Sequence, residues 1–493
     1  MVVGTARVLV IDLNSFARFP TLAVGALVRG LRNAGHEVQV ICPFRHGAPT
    51  IQREGQETYW QYVQKRVYFS THPIVAPFHN QLLQARNWWV LRPSPTTQKI
   101  SCDAMDSFRP HVVLVSAYVD FYRSVALLAQ AAKDRGIPFL LGGPVFNHPQ
   151  VARAWRDVDG LTAIIGAEVE RSIGNIVSDV LAYRDLGHHA GIFLPDGREG
   201  PPAAPLQRLD QLSPPDFSDF PWEAYPVRII PALATRGCGW GRCTFCADIH
   251  TANGRTFRKR PAASVFAELC HQAERHGTRD VVFFDMKLNS DLELWRDLIA
   301  GYQSHLPGGQ WIGVVHVGQE KDNGLSAVDM ENARRSGMAR ISFGLETASD
   351  RLNKLMAKGT SVGRIAEFVK NAHSAGISVR STAMLGYPGE TAADVESTIR
   401  FVESNIDCFD RIKLSLFKAL PGTRFEELHT TNPDRLSGVK NLKWNYRYYR
   451  GEYYNANGSN RAYRRAKTNL LQLVYQINRR PLRASAQMFD GLM

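Results

Sequence analysis

Residues 229–250 read IIPALATRGCGWGRCTFCADIH: a strand-forming apolar run, IIPALAT at 229–235, empties into a loop that places Cys238, Cys243 and Cys246 within nine residues. Gly237, Gly239 and Gly241 let that loop curl around something compact. Three thiolates converging on one loop point to a metal. Two ligand sets satisfy the spacing: three thiolates on a four-iron cluster that leaves one iron open, or a closed zinc site with His250 as fourth ligand. A closed zinc site normally staples a small module, whereas this loop opens a large one.

Downstream, five more strand candidates alternate with helical stretches: VVFFD (281–285), WIGVVHV (311–317), RISFGLE (340–346), SVRSTAMLG (378–386) and RIKLSLF (411–417). Together with 229–235 they make six β/α units, an incomplete TIM-like barrel over residues 226–430. Active sites of such barrels lie at the carboxyl ends of the strands, which is where the cysteines sit. Upstream, VLVIDL (8–13) is followed by Val24, Leu27, Val28 and Leu31 at the spacing of one helix face, with Gly35 as its stop. VQVIC (38–42), VVLVSA (112–117), a helix around Leu127–Lys133, FLLGG (139–143) and AIIGA (163–167) continue the alternation. Strand, helix, strand repeated predicts a parallel, doubly wound, Rossmann-like sheet for residues 1–185. Ligands of such sheets bind beyond the strands' carboxyl ends, here Ser116, Gly142, Gly143, Pro144 and Gly166. The proline-rich stretch 186–225 reads as a linker wrapping one domain onto the other, and 431–493 as a basic, aromatic, mostly helical carboxyl-terminal region.

With 44% hydrophobic and 21% charged residues over 493, the α/β chain is expected to fold as a globular protein. No stretch approaches the roughly 18 apolar residues of a spanning helix, and MVVGTARVLVIDLN runs into a strand without a cleavage pattern, so the expected location is the cytoplasm. Cys42, Cys102, Cys270 and Cys408 stand singly, as reduced thiols do. A net charge of +13 suits an anionic partner, and much of it lies in KNLKWNYRYYRGEYY and NRAYRRAKTNLL. Arginine and tyrosine interleave there as on a nucleic-acid surface; the plainer reading is a solvated helix face over an aromatic core. Trp444, Tyr446 and Tyr448 fit either a pocket lining or that core.

RGC, then CTFC, FGLETAS and GYPGET, resembles the radical S-adenosylmethionine (radical SAM) superfamily. LLGGPVFNHP followed by AIIGAEVE looks like the cobalamin-binding half of its corrinoid-dependent subgroup, and PPDFSDFPWEAYP like that subgroup's linker, so the resemblance spans nearly the whole chain. One departure stands out: four residues, Gly239 to Arg242, separate the first two cysteines where the superfamily usually has three. The resemblance implies one 4Fe-4S cluster on Cys238, Cys243 and Cys246, whose open iron chelates the amino and carboxylate groups of S-adenosyl-L-methionine and splits it to a 5′-deoxyadenosyl radical. It implies Phe245 beside the adenine, Asp285 near the methionine amino group, Glu346 and Ser349 near the ribose, Gly386, Tyr387 and Pro388 closing the adenine side, and Arg380 meeting the carboxylate. For cobalamin it implies Ser116, Gly142, Gly143, Pro144, Gly166 and Glu168, with the lower face of cobalt covered from the neighbourhood of Tyr118 or Val119. No Asp-x-His-x-x-Gly stretch is present to supply a histidine ligand.

The activity expected from this resemblance is methylation of an unactivated carbon of a small molecule, with an electron donor such as flavodoxin or ferredoxin; a radical rearrangement or cyclisation is the alternative. Methylthiotransferases of the superfamily carry three further cysteines upstream, where this chain has only Cys42 and Cys102. A first domain kept as bare scaffold, and a zinc-stapled, basic nucleic-acid-binding protein, are the readings of other kinds.

Overall fold

The computed structural model describes residues 5–13, 18–48, 55–72, 92–247, 256–436 and 438–492. Its first sheet is built on β1 (Arg7–Asp12), whose alternate residues feed two layers. Val8 and Val10 pack with Val24, Val28 and Leu31 of α1 (Leu22–Asn33), while Leu9 and Ile11 pack on the other face with Val125, Leu128 and Ala129 of α2 (Tyr122–Lys133). Burial on both faces is why these strands read as unbroken apolar runs. β2 (Glu37–Ile41), β3 (Val112–Ser116), β4 (Phe139–Gly142) and β5 (Ala163–Ile165) are parallel to β1 in the order β2-β1-β3-β4-β5. α3 (Ile173–Leu181) joins α1 on its face.

The stretch expected as linker does more than link. Ile192–Phe193 forms β6, which pairs antiparallel with β5 and extends the first sheet past residue 185. The remainder is a strap: Arg32 donates to Asp216 at 2.9 Å and to Asp219 at 3.0 Å, and Phe217 sits so close to α1 that a Cβ on Gly25 would stand 2.3 Å from its ring. Its other edge holds the second domain, where the Gln272 amide donates to the Pro215 carbonyl at 2.7 Å and Trp222 stacks on His276 at 4.3 Å.

The second sheet contains six parallel strands, β7 (Ile230–Ala232), β10 (Val281–Phe283), β11 (Trp311–Val315), β12 (Met338–Glu346), β13 (Ser378–Leu385) and β14 (Arg411–Leu416), in sequential order. α4 (Ala262–His276), α5 (Leu292–His305), α6 (Ala327–Arg335), α7 (Val362–Ser374) and α8 (Ala392–Ser404) bury the outward residues, among them Ile341, Phe343 and Leu345 of β12. The alternate residues Arg340, Ser342, Gly344 and Glu346 turn inward, so the lumen is polar. β8 (Thr235–Gly237) and β9 (Phe257–Lys259) form a small antiparallel pair at the mouth.

The carboxyl-terminal region departs from the helical expectation. After α9 (Arg424–Thr431) comes an antiparallel hairpin, β15 (Val439–Asn445) and β16 (Arg450–Asn455), and only then α10 (Arg461–Asn478). The hairpin is a bracket between domains: Trp155 donates its indole N–H to the Arg447 carbonyl at 2.9 Å, and the Arg447 guanidinium bonds Ala154 and Asp157. Trp444 is half-buried against the Tyr387 and Phe417 group, Tyr446 half-buried beside His148, and Tyr448 is 38% exposed. Among the described residues no helix is long and apolar enough to cross a membrane.

Candidate functional site: a cysteine loop facing a sheet edge

β8 ends at Gly237, whose φ of +85° and whose closeness to the Thr256 carbonyl, 1.7 Å from where a Cβ would stand, admit only glycine. Cys238, Cys243 and Cys246 follow, all half-buried, at the carboxyl mouth of the barrel. The loop is fastened to one segment of the barrel rim. Thr244 N–H donates to the Met356 carbonyl at 2.9 Å, the Thr244 and Tyr387 hydroxyls bond at 2.7 Å, and the Trp240 indole N–H donates to Ala357 at 2.9 Å. The four-residue spacing thus houses a wedge. Trp240 stacks beside His316 and lies where a Cβ on Gly359 would be 2.2 Å from its ring. Burial pushes the Cys243 thiol up in pKa, and the Lys358 cation opposes that shift. Three thiols on one braced, half-buried loop suit an iron–sulfur cluster with three protein ligands. His250, the fourth ligand of the zinc alternative, lies outside the described residues.

Phe245 belongs to this loop and Glu346 stands beside it. Lys358 Nζ lies 5.8 Å from the Phe245 ring centre and 3.6 Å from Glu346 Oε1, which also accepts from Thr382 Oγ1 at 3.0 Å. Glu346 has a left-handed φ of +58° where β12 slips register against β13, the kind of backbone strain that gathers at functional sites. Several expected ligand contacts are otherwise engaged. Asp285, 1% exposed, accepts from Ala234 N–H (3.0 Å), Thr235 N–H (2.6 Å) and Thr235 Oγ1 (2.5 Å), so it braces the turn that launches the cysteine loop. Its pKa is pushed up to about 6 by burial. Ser349 caps the short helix Asp350–Leu355 and donates to Asp394 at 2.5 Å. Tyr387 is fully buried with its hydroxyl on Thr244, Pro388 is buried, and half-buried Gly386 donates to Glu390 at 2.5 Å. Arg380 lies at the opposite end of the barrel: it pairs in register with Arg411, the first residue of β14, five residues before the end of its own strand.

The first domain turns the carboxyl edge of its sheet toward this mouth. Ala247, next to Cys246, shares one apolar cluster with Ala117, Val119, Val145 and Phe146. Tyr118 is 42% exposed at this edge and Val119 is buried; Ser116, Gly142, Gly143 and Pro144 are half-buried. Gly143 and Gly166 are required by the loops themselves, since a Cβ would come 2.1 Å from the Ala117 carbonyl and 2.2 Å from that of Phe146. Glu168 is engaged within the chain: it bonds Arg258 and Leu206 N–H, each at 2.7 Å, and Arg236 at 3.0 Å. Arg236, two residues before Cys238, also holds Glu170 at 2.7 Å, so this ion-pair group ties the first domain to the root of the cysteine loop. Sequence reasoning missed Trp240, Thr244, Arg236 and Lys358; Trp240, within the longer spacing, is held by the Ala357 carbonyl and by Gly359.

Fold and site together define a two-domain α/β protein with a doubly wound sheet set against a barrel that carries a three-cysteine loop at its mouth. Residues 233–402 match the model of the radical SAM superfamily, so the chain carries a radical SAM domain. It is 23% identical over 334 residues to an uncharacterized methyltransferase of Pyrococcus horikoshii, covering 66% of this chain and 70% of that one. It is 26% identical over 312 residues to the bacteriochlorophyllide d C-12(1)-methyltransferase of Chlorobaculum tepidum, 61% of this chain and 62% of that protein. Among solved structures, the radical S-adenosylmethionine methyltransferase TsrM of Kitasatospora setae, bound to cobalamin and a [4Fe-4S] cluster, superposes with a TM-score of 0.67 at 16% identity over 96% of this chain and 91% of that one. The two chains share a fold along nearly their whole length.

Proposed function

We propose that this protein is a cobalamin-dependent radical SAM enzyme that methylates an unactivated carbon of a small-molecule substrate. The observation that carries the reading is the shared apolar cluster of Ala247 with Ala117 and Val119, which sets the cysteine loop against the edge where a doubly wound sheet binds ligands. Cys238, Cys243 and Cys246 would hold the iron, and Ser116, Tyr118 and Gly142 would border the corrin. When bound, the cluster with S-adenosyl-L-methionine and cobalamin supplies the radical and the methyl group. The chain's own residues do the placing. Thr244 and Trp240 fix the loop, Lys358 lies between Phe245 and Glu346 beside it, and the β15–β16 hairpin bridges the two domains. The named activity of the Chlorobaculum relative favours methyl transfer over rearrangement. The radical SAM domain displaces the zinc-stapled nucleic-acid reading. Reducing equivalents would come from a flavodoxin or ferredoxin.

The test is anaerobic purification with hydroxocobalamin, a count of iron and cobalt, and detection of 5′-deoxyadenosine after reduction with S-adenosyl-L-methionine. About four irons and one cobalt per chain, with deoxyadenosine lost in Cys243→Ala, is the expected result. Iron without cobalt reduces the first domain to scaffold, and zinc alone overturns the proposal.

A further inference from the structure

Lys358 is 4% exposed, and its position is set from both sides. The carbonyl of Met356 accepts from Thr244, that of Ala357 accepts from Trp240, and the Trp240 ring lies against Gly359, so residues 356–359 are clamped to the cysteine loop around the lysine. Its ammonium sits over Phe245, which lies between Cys243 and Cys246 in sequence. The glycine at 344 keeps the space open, since a Cβ there would stand 2.9 Å from Nζ. The Glu346 carboxylate is 3.6 Å away, longer than a hydrogen bond, and is shared with Thr382. A buried ammonium needs more anionic company than that. Arg242, the basic residue of the loop itself, is turned onto the Trp240 ring at 5.2 Å.

We infer that Lys358 is the fixed counter-charge of the iron–sulfur site, a positioning cation that raises the reduction potential of a cluster held by Cys238, Cys243 and Cys246. The inference rests on the cluster reading above. Three thiolates around a [4Fe-4S]2+ core carry a net −1; one electron from an added reductant makes the core 1+ and the whole −2, with no proton or bond exchanged. A cation clamped nearby in a low dielectric stabilises the more negative state.

The experiment is anaerobic reconstitution with iron and sulfide of the full chain and of Lys358→Met, Lys358→Arg and Glu346→Gln, an iron count for each, and potentiometric titration with dithionite followed by the S = 1/2 EPR signal and the visible band. Lys358→Met should disfavour reduction at least tenfold, a downward shift of about 59 mV for one electron. Lys358→Arg should stay near the wild type, and Glu346→Gln should shift the potential upward. A role in packing alone would leave all three potentials within about twofold in the reduction constant, which overturns the inference. If Lys358→Met holds no iron, Glu346→Gln decides: an upward shift supports the counter-charge, an unchanged potential refutes it. Wild-type protein that takes up no iron overturns the cluster reading and this inference with it, whereas a wild-type cluster with unmoved variants overturns only the role of Lys358.

Discussion

Asp285 accepts three hydrogen bonds from Ala234 and Thr235 inside the barrel wall, so its influence on the metal loop passes through the turn that launches it. Asp285→Asn keeps the shape but turns an N–H donor toward a nest of donors. Its expected cost is about 1–3 kcal/mol of unfolding free energy, read by urea titration, together with reduced iron retention. Unchanged stability with weakened S-adenosyl-L-methionine binding would return the residue to the methionine. Tyr387→Phe removes the 2.7 Å bond to Thr244 while keeping the ring against Phe417. We expect it to lower stability by about 1 kcal/mol and to speed loss of iron to a chelator, with Phe417→Leu as a packing control that leaves iron loss near wild type. At this scale the sequence placed the three cysteines just past a strand end and located the other strand ends, because strand-end position follows from the chain's periodicity. It did not reveal partners, because the groups that bond Asp285, Ser349 and Glu168 come from segments 50, 45 and up to 90 residues away.

At the scale of elements, the turn between β13 and α8 is tied to α10 by one buried pair: Tyr463 donates to Glu390 at 2.6 Å, and the same carboxylate accepts from Gly386 N–H. Burial pushes Glu390 up to about 7 despite those donors. A carboxyl whose folded pKa lies above its unfolded value adds stability that is complete below the unfolded pKa and is lost as pH rises through the folded one. Wild-type stability is therefore expected to fall between pH 5 and 8 relative to Glu390→Gln, which keeps the acceptor and cannot ionise. The difference should reach on the order of 2–3 kcal/mol, and parallel pH profiles in thermal unfolding would refute it. The strands of both sheets were legible because they alternate or run apolar between glycine and proline breaks. β6 was not, being two residues long and held by pairing with β5 alone. The β15–β16 hairpin was missed for a different reason: its turn uses Tyr446–Tyr448 and a left-handed Tyr449 (φ +49°) where a reader looks for glycine.

At the scale of the molecule, the barrel is finished at both ends by chain from outside it. The mouth receives the first domain and the hairpin; the amino end receives the last residues, where Phe489 and Leu492 pack with Ile229, Val282, Ile312 and Ala339. Arg340 donates to the Phe489 carbonyl at 3.0 Å, Arg411 to the Arg480 carbonyl at 2.9 Å, and Arg18 to the Asp490 carbonyl at 2.7 Å. Burial, with Arg380 and Arg411 nearby, lowers Arg340 to about 10, while the Asp490 carboxylate opposes that shift. Ending the chain after Leu482 uncovers that cluster and removes an acceptor of Arg340. Two large apolar side chains predict a loss of about 3–6 kcal/mol, and a stranded guanidinium adds to it. Arg340 lies six residues from Glu346 on one strand, about 20 Å from the metal loop. The shortened chain should therefore unfold earlier in urea yet bind iron in the same ratio to folded protein. Arg340→Met in the shortened chain should recover part of the lost stability, because it removes the unpaired charge; if it recovers none, the last residues act by apolar cover alone.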